Sequence, residues 1–456
     1  MNDSPASPEQ AAEPQQAPEN QQPQQSQPPL QTPAPADRDS ADRGSTDRVP
    51  FDRKLAAAVQ KVTAQALGPY QTAVVRIGFS ATWLLFLLRE WPHRRELYGP
   101  DGPWSWEMGR QLIGDNRSFS VLMWSDGTLW FEIVYALAVL SAVLMLLGWH
   151  TRAVSVVFMA GVLSLQNRSI FMGDGGDNVV HLMAMYLVLT RCAQVWSLDA
   201  RRAARGRDGG IAGPLLWTVL GGLLLATTWF SDVTGEWWLV VLLWALWLGQ
   251  GLWWLVCRYA PDEPRTLLDV VANLVHNATL VVIMVEVCLI YATAGWYKVQ
   301  GSRWQDGTAL YFPLKLDYFS PWPALSDLLG SSALMVLLLT YGTVIVQVAF
   351  PFTLFNRRVK NVLLVAMMLE HAGIAVLLGL PFFSLAMIAA DAVFLPTAFL
   401  VWLGARAVRG RDRLLGRAKG ADGDANGAGD GAGGEDRVPE QQSRSNDEAG
   451  PRTLVG

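Results

Sequence analysis

The side chains able to do chemistry stand out by where they sit in an apolar chain. Lys298 follows the run Leu280–Tyr291, which is interrupted only by Glu286, and is preceded by Trp296 and Tyr297. An amine there serves either as an interfacial anchor whose charge snorkels to the headgroups or as a base whose charged form is poorly solvated. Arg76, Glu132, His181, His276, Glu286, Gln347, Glu370, His371 and Asp391 lie inside the apolar runs. Charge in hydrocarbon is costly, so each is a candidate for function. Counting at 1.5 Å per residue, Glu286, His371 and Asp391 each fall about 13 Å below the same membrane face. The three are expected to meet as a proton relay, with desolvation and mutual charge shifting their titration. The competing reading is of buried polar groups that only hydrogen-bond neighbouring helices.

Asp174 and Asp177 bracket a glycine pair in GDGGD, just before an apolar run that begins at Asn178. One reading is a turn with Asp177 as N-cap, which satisfies free amides and favours the helix dipole. The other is a carboxylate pair that binds a substrate amine or a cation, although two acids alone do not make a metal site. Cys192, Cys257 and Cys288 lack paired spacing, so no metal centre or disulfide framework is expected.

These residues are positioned by helices. The chain has 456 residues, 51% of them hydrophobic and 17% charged, with 20 tryptophans and a net charge of −4. Its apolar blocks exceed what one soluble core absorbs, and no dense basic patch marks a nucleic-acid partner. Runs long enough to cross a bilayer occur near 72–88, 128–148, 153–168, 178–196, 212–230, 237–257, 273–295, 332–355, 361–380 and 382–404. The expected fold is therefore all-α, a polytopic integral membrane helical bundle of about ten transmembrane helices, because lipid leaves backbone groups no partner outside a helix.

Residues 1–69 read as a disordered Pro/Gln-rich tail, and 406–456 as a basic and then Gly/Ala/acidic tail. Arg and Lys collect in the connections that share a side with both termini, so both termini are expected in the cytoplasm of a cell-membrane protein. YGPDGPWSW (Tyr98–Trp106), the GDGGD turn, the Lys298 segment and the Leu380–Phe383 corner then fall together on the outer side.

Several motifs in order carry a family resemblance: RIGFS (Arg76–Ser80), YGPDG (Tyr98–Gly102), Asn167-Arg168 with GDGGDN, and WSLDA (Trp196–Ala200). YATAGWYKVQGSRWQDGTAL (Tyr291–Leu310) and EHAGIAVLLGLPFFSLAMIAAD (Glu370–Asp391) complete the set. Over about residues 70–405 the chain resembles the horizontally transferred transmembrane (HTTM) domain, which includes the membrane part of vitamin K-dependent gamma-glutamyl carboxylases. In those carboxylases an amine in the AG-x-x-K segment is the base that deprotonates reduced vitamin K, and Lys298 matches it. The resemblance implies a reduced quinone as cofactor and burial of the amine under Trp296, Tyr297 and Trp304 to keep it neutral.

Three departures accompany the resemblance. The carboxylases have a histidine near the position of Asp177. They also follow the membrane part with a large β-rich domain where this chain has a tail, which speaks against propeptide-directed carboxylation. Residues 211–258 read as an inserted helical hairpin.

Two functions are expected from this reading. One is a membrane enzyme with Lys298 as base on a lipid-soluble quinol, His371 and Glu286 as proton relay, and Asp174, Asp177 and Asp391 at the substrate. The other is a non-enzymatic component for maturation, immunity or transport of a secreted peptide or small molecule. The bilayer is a partner in both.

Overall fold

Helices carry the structure because the chain offers long apolar stretches and few breakers. The computed structural model describes residues 51–169, 171–206, 211–230, 237–260 and 262–423. The chain divides into Met1–Ala56 and Ala57–Gly456. Residues 51–56 of the first unit are helical, and the remaining account concerns the second.

The main helices are α1 (Phe51–Ala64), α2 (Pro69–Glu90), α3 (Trp106–Asn116), α4 (Thr128–Leu147), α5 (Thr151–Gln166), α6 (Gly175–Leu189) and α7 (Ala212–Phe230). They continue with α8 (Trp237–Tyr259), α9 (Glu263–Gln300), α10 (Ala333–Ala349), α11 (Arg357–Leu377), α12 (Pro381–Asp391) and α13 (Thr397–Gly423). Among the described residues six helices are long and apolar enough to cross a membrane, or seven if the pair α12–α13, bent by 116°, is one span. The protein is accordingly an all-helical membrane protein.

The expected ten spans are not all long enough. The runs at 153–168 and 178–196 are helical only as far as Gln166 and Leu189, so that α5 has 16 residues and α6 has 15, about 24 Å or less against a hydrocarbon core of about 30 Å. The apolar stretch of α7 counted over Ala212–Ala226 is also short. The physical reason is burial in protein: Val154, Phe158, Val162 and Leu165 of α5 and Val180, Met183 and Ala184 of α6 are enclosed by neighbouring helices. Hydropathy alone does not separate such a helix from one that faces lipid.

Helix α2 packs against α4, α6 and α12, and α12 in turn against α6 and α11, while α9 packs on α10. Small residues set the close approaches. A Cβ on Gly78 would stand 2.5 Å from that of Ala389, so α2 and α12 meet almost backbone to backbone, as membrane helices do where small side chains face each other. Helix α9 buries Ile283, Val287, Tyr291 and Gly295 on one stripe and exposes Val281, Val285 and Leu289 on another. An exposed apolar stripe of that length suits lipid rather than water.

Polar residues inside the bundle also build it. Arg76, fully buried, donates to the backbone oxygens of Cys192 at 3.2 Å, Leu146 at 2.9 Å and Trp196 at 2.8 Å, and also to that of Met145. These carbonyls lie at the end of α4 and in the turn after α6, where helix ends lack intrahelical partners and favour positive charge. Glu132 pairs with Arg94 and Arg95. His181 lies 3.2 Å from Gln166.

Two stretches placed in tails by the sequence are helical instead. From α9, Asn273 donates to the Thr63 oxygen and Asn277 to those of Val62 and Gln65, while His276 Nε2 lies 2.8 Å from the Leu67 oxygen. These contacts satisfy the end of α1. Helix α13 runs on through the basic residues after Ala405 because Ala, Arg, Leu and Lys all tolerate a helix well. Residues 1–50 and 424–456 lie outside the described residues.

The expected hairpin of residues 211–258 takes the form of α7 and α8. Trp217 and Trp247 stack at 4.1 Å, and each indole N–H donates to the other's backbone oxygen at 2.9 Å. Gly221 and Gly251 leave the room these rings occupy.

Candidate functional site

The site is assembled from four helices. On α9, Tyr291, Gly295 and Lys298 recur at intervals of four and three, so they share a face. Gly295 lets that face approach Val348 of α10, since a Cβ there would meet Val348 at 2.7 Å. This brings Lys298 beside Gln347. The Lys298 Nζ donates to Gln347 Oε1 at 2.8 Å, and Gln347 Nε2 donates to Glu370 Oε1 of α11 at 2.6 Å. Gln347 thus bridges the amine to a carboxylate.

One residue further along α11, His371 points to a second group. Its Nε2 is 3.1 Å from the Tyr291 hydroxyl, which donates to Asp391 Oδ1 of α12 at 2.9 Å. Tyr291, His371 and Asp391 are each at most 1% exposed. Phe350 packs edge-on to Tyr291 and Phe383 edge-on to His371, which closes the group off with aromatic rings.

The hydrogen-bond inventory limits the protonation states. With Asp391 ionised, Tyr291 must give its proton to the carboxylate, so His371 approaches the phenol oxygen through an Nε2–H and leaves Nδ1 as an acceptor. With Asp391 protonated, the directions reverse and Tyr291 donates to His371. Both arrangements keep the heavy atoms in place, which is what a proton relay requires. Glu370 Oε2, His371 Nδ1 and Asp391 Oδ2 are buried without a hydrogen-bond partner. Orphaned polar atoms in such numbers call for a proton, a water or a ligand atom.

His371 and Asp391 therefore meet, but Glu286 does not join them. It is half-buried on a different side of α9, within electrostatic range of Tyr186 on α6. Five residues separate it from Tyr291, about 140° around the helix, which equal depth along the sequence does not reveal.

Lys298 is half-buried, and the Trp304 ring lies 5.2 Å from its Nζ. Trp296 and Tyr297 are 64% and 75% exposed and do not cover it. The expected enclosure by three aromatics reduces to one.

Asp174 and Asp177 form a reciprocal capping box on α6. The N-cap is Asp174, whose Oδ1 accepts from the amides of Gly176 at 2.6 Å and Asp177 at 3.1 Å. Asp177, the expected N-cap, instead occupies the third helical position and accepts from the Asp174 amide at 2.8 Å. The helix starts earlier because the reciprocal pair satisfies amides at both positions. Gly176 packs on the Phe383 backbone and Gly175 beside its ring, which borders His371, so the turn buttresses the site without entering it. Among the described residues no group of three or more His, Cys, Asp and Glu side chains converges as a metal site would.

Tyr291 is not among the sequence candidates, and Gln347 stands among the in-span polar residues without its link from Lys298 to Glu370. The Tyr291–Gly295–Lys298 periodicity held the signal for the first. The second needed the α9–α10 contact. The chain matches no protein-family model, no curated protein and no solved structure.

Proposed function

We propose that this protein is a membrane-embedded acid–base enzyme of the HTTM type acting on a lipid-soluble substrate, with Lys298 as the base. The supporting observation is the pair of hydrogen-bonded chains, the partly buried Lys298–Gln347–Glu370 and the fully buried His371–Tyr291–Asp391, with unfilled polar atoms on each. A structural cluster would be expected to satisfy all its members. A reduced quinone fits the chemistry, since Lys298 combines a half-buried donor with an exposed apolar flank at Trp296, Tyr297 and Val299. In its neutral form the amine takes a proton from the quinol hydroxyl, while Gln347 orients it and Glu370 stabilises the ammonium that results. His371 and Asp391 are the groups that pass protons deeper in the bundle. The outer-face location follows from the charge of the connections.

A second reading draws on the Trp304 contact. An ammonium held by an indole face and an amide oxygen is also an anchor, suited to a non-enzymatic component for a secreted peptide or small molecule.

The test is purification of the full chain, extraction of copurified lipid-soluble quinone, and consumption of an added reduced naphthoquinone under air. Wild type and Lys298→Ala should differ at least tenfold, and Lys298→Arg should behave like Lys298→Ala because it supplies no neutral amine. Equal rates in all three proteins remove the enzymatic reading.

A further inference from the structure

The segment between α9 and α10 has a surface that the site does not explain. Both flanking helices are candidate spans and pack on one another, so residues 301–332 begin and end at the same end of the bundle. The segment folds into three short α-helices, Ser302–Gln305, Tyr311–Lys315 and Pro323–Gly330, and a 3-10 turn, Asp317–Phe319. It is fastened at both ends. Leu310 N donates to Thr340 Oγ1, Tyr341 donates to the Gln305 oxygen at 2.7 Å, and Gly307, at φ +76°, lies against Leu337. Further along, Pro321 rests on Gly379 in the turn between α11 and α12. The segment thus runs from the Lys298 end of α9 along the first turns of α10 to the α11–α12 turn, and its Trp304 ring lies 5.2 Å from the Lys298 amine.

Its outer surface is apolar where a water-facing loop would be polar. Tyr318 is 86% exposed, Leu328 68%, Trp322 61% and Leu316 52%, with Tyr311 and Phe312 nearby. Among its charged side chains Lys315 pairs with Asp327 at 2.7 Å and Arg303 with Asp306 at 3.5 Å, while Asp317 is exposed between Leu316 and Tyr318. Exposed aromatics with a polar tip, beside basic residues and at the level where spans end, have the composition of a membrane interface.

We infer that residues 301–332 lie on the phospholipid headgroup layer of the bilayer that α9 and α10 cross, with Leu316, Tyr318, Trp322 and Leu328 immersed. The occupant is lipid because the segment joins two adjacent spans and, held against α10 at Thr340 and against the α11–α12 turn at Gly379, turns Leu316, Tyr318, Trp322 and Leu328 outward. This seating does not depend on a catalytic role for Lys298. If that role holds, it gives a lipid-soluble partner a short path from the bilayer.

The experiment uses the full chain with Cys192, Cys257 and Cys288 replaced by alanine, reconstituted into phosphatidylcholine vesicles. A nitroxide is placed in turn at Tyr318→Cys, Trp322→Cys and Leu328→Cys, with Glu107→Cys on the polar helix α3 as reference. Collisions with oxygen should dominate at the first three sites, and access of a water-soluble nickel chelate should be several-fold lower than at residue 107. Equal nickel access at all four sites overturns the inference. So does spin–spin broadening at residues 318 and 322 that disappears on dilution with unlabelled protein, which would mean a second copy covers the face. A conservative variant provides a check with the native cysteines in place. Quenching by lipids brominated near the headgroup should fall in Trp322→Phe relative to wild type, and an unchanged signal counts against immersion.

Discussion

The Tyr291 hydroxyl stands 2.9 Å from Asp391 Oδ1, a bond between residues one hundred positions apart that ties the last third of α9 to the end of α12. The same oxygen lies 3.1 Å from His371 Nε2, so one phenol holds three helices together. An aromatic side chain with a single polar atom is well suited to this, since its ring packs on Phe350 while its hydroxyl serves two partners.

Replacing Tyr291 by phenylalanine keeps the ring and deletes the hydroxyl. Asp391 and His371 then stay buried with one partner fewer each, a loss of about 1–3 kcal/mol for each group left unsatisfied. The expected outcome is a lower unfolding midpoint in detergent than wild type, together with loss of any proton-linked activity. An unchanged midpoint would show that the phenol does not hold α9 to α12.

The approach of α2 to α12 depends on Gly78. Gly78→Val places methyl groups where the Ala389 side chain already sits, and overpacking of this kind costs about 1–3 kcal/mol. It should also shift Asp391, two residues from Ala389, and so disturb the relay as well as the fold. Gly78→Ala with Ala389→Gly exchanges the small residues across the contact and should recover most of the lost stability, read as the unfolding midpoint of the double variant against each single one.

A pH effect is expected at the connection between α4 and α5, outside the counted spans. Burial holds the His150 imidazole below its ordinary range, and the neighbouring Arg202 adds to this while Asp199 opposes it. The Arg202 guanidinium donates to Nε2 at 2.6 Å, which requires that nitrogen to be unprotonated. A depressed value in the folded state means that the unfolded chain takes up the proton first as pH falls. His150 therefore contributes nothing unfavourable above its unfolded pKa of about 6.5, and stability is lost as pH drops from there through the folded value. Unfolding midpoints measured across that window should fall in wild type and flatten in His150→Gln. Parallel curves would assign the acid sensitivity to other groups.

The sequence by itself determined that this is a helical membrane protein, because unbroken apolar stretches have no other way to satisfy their backbone in lipid. It also singled out Lys298, His371 and Asp391, since ionisable groups are conspicuous against Leu, Val and Ala. Tertiary structure decided the rest. Tyr291 looked like one more apolar-compatible residue until α11 and α12 were seen to close on its hydroxyl. Glu286 lay at the expected depth but at the wrong rotation, and the apolar runs 153–168 and 178–196 gave only the short helices α5 and α6, which neighbouring helices enclose. Depth and hydropathy are properties of one segment and can be counted along it. Which face a helix turns inward, and whether its apolar side meets protein or lipid, depends on the neighbours it packs against.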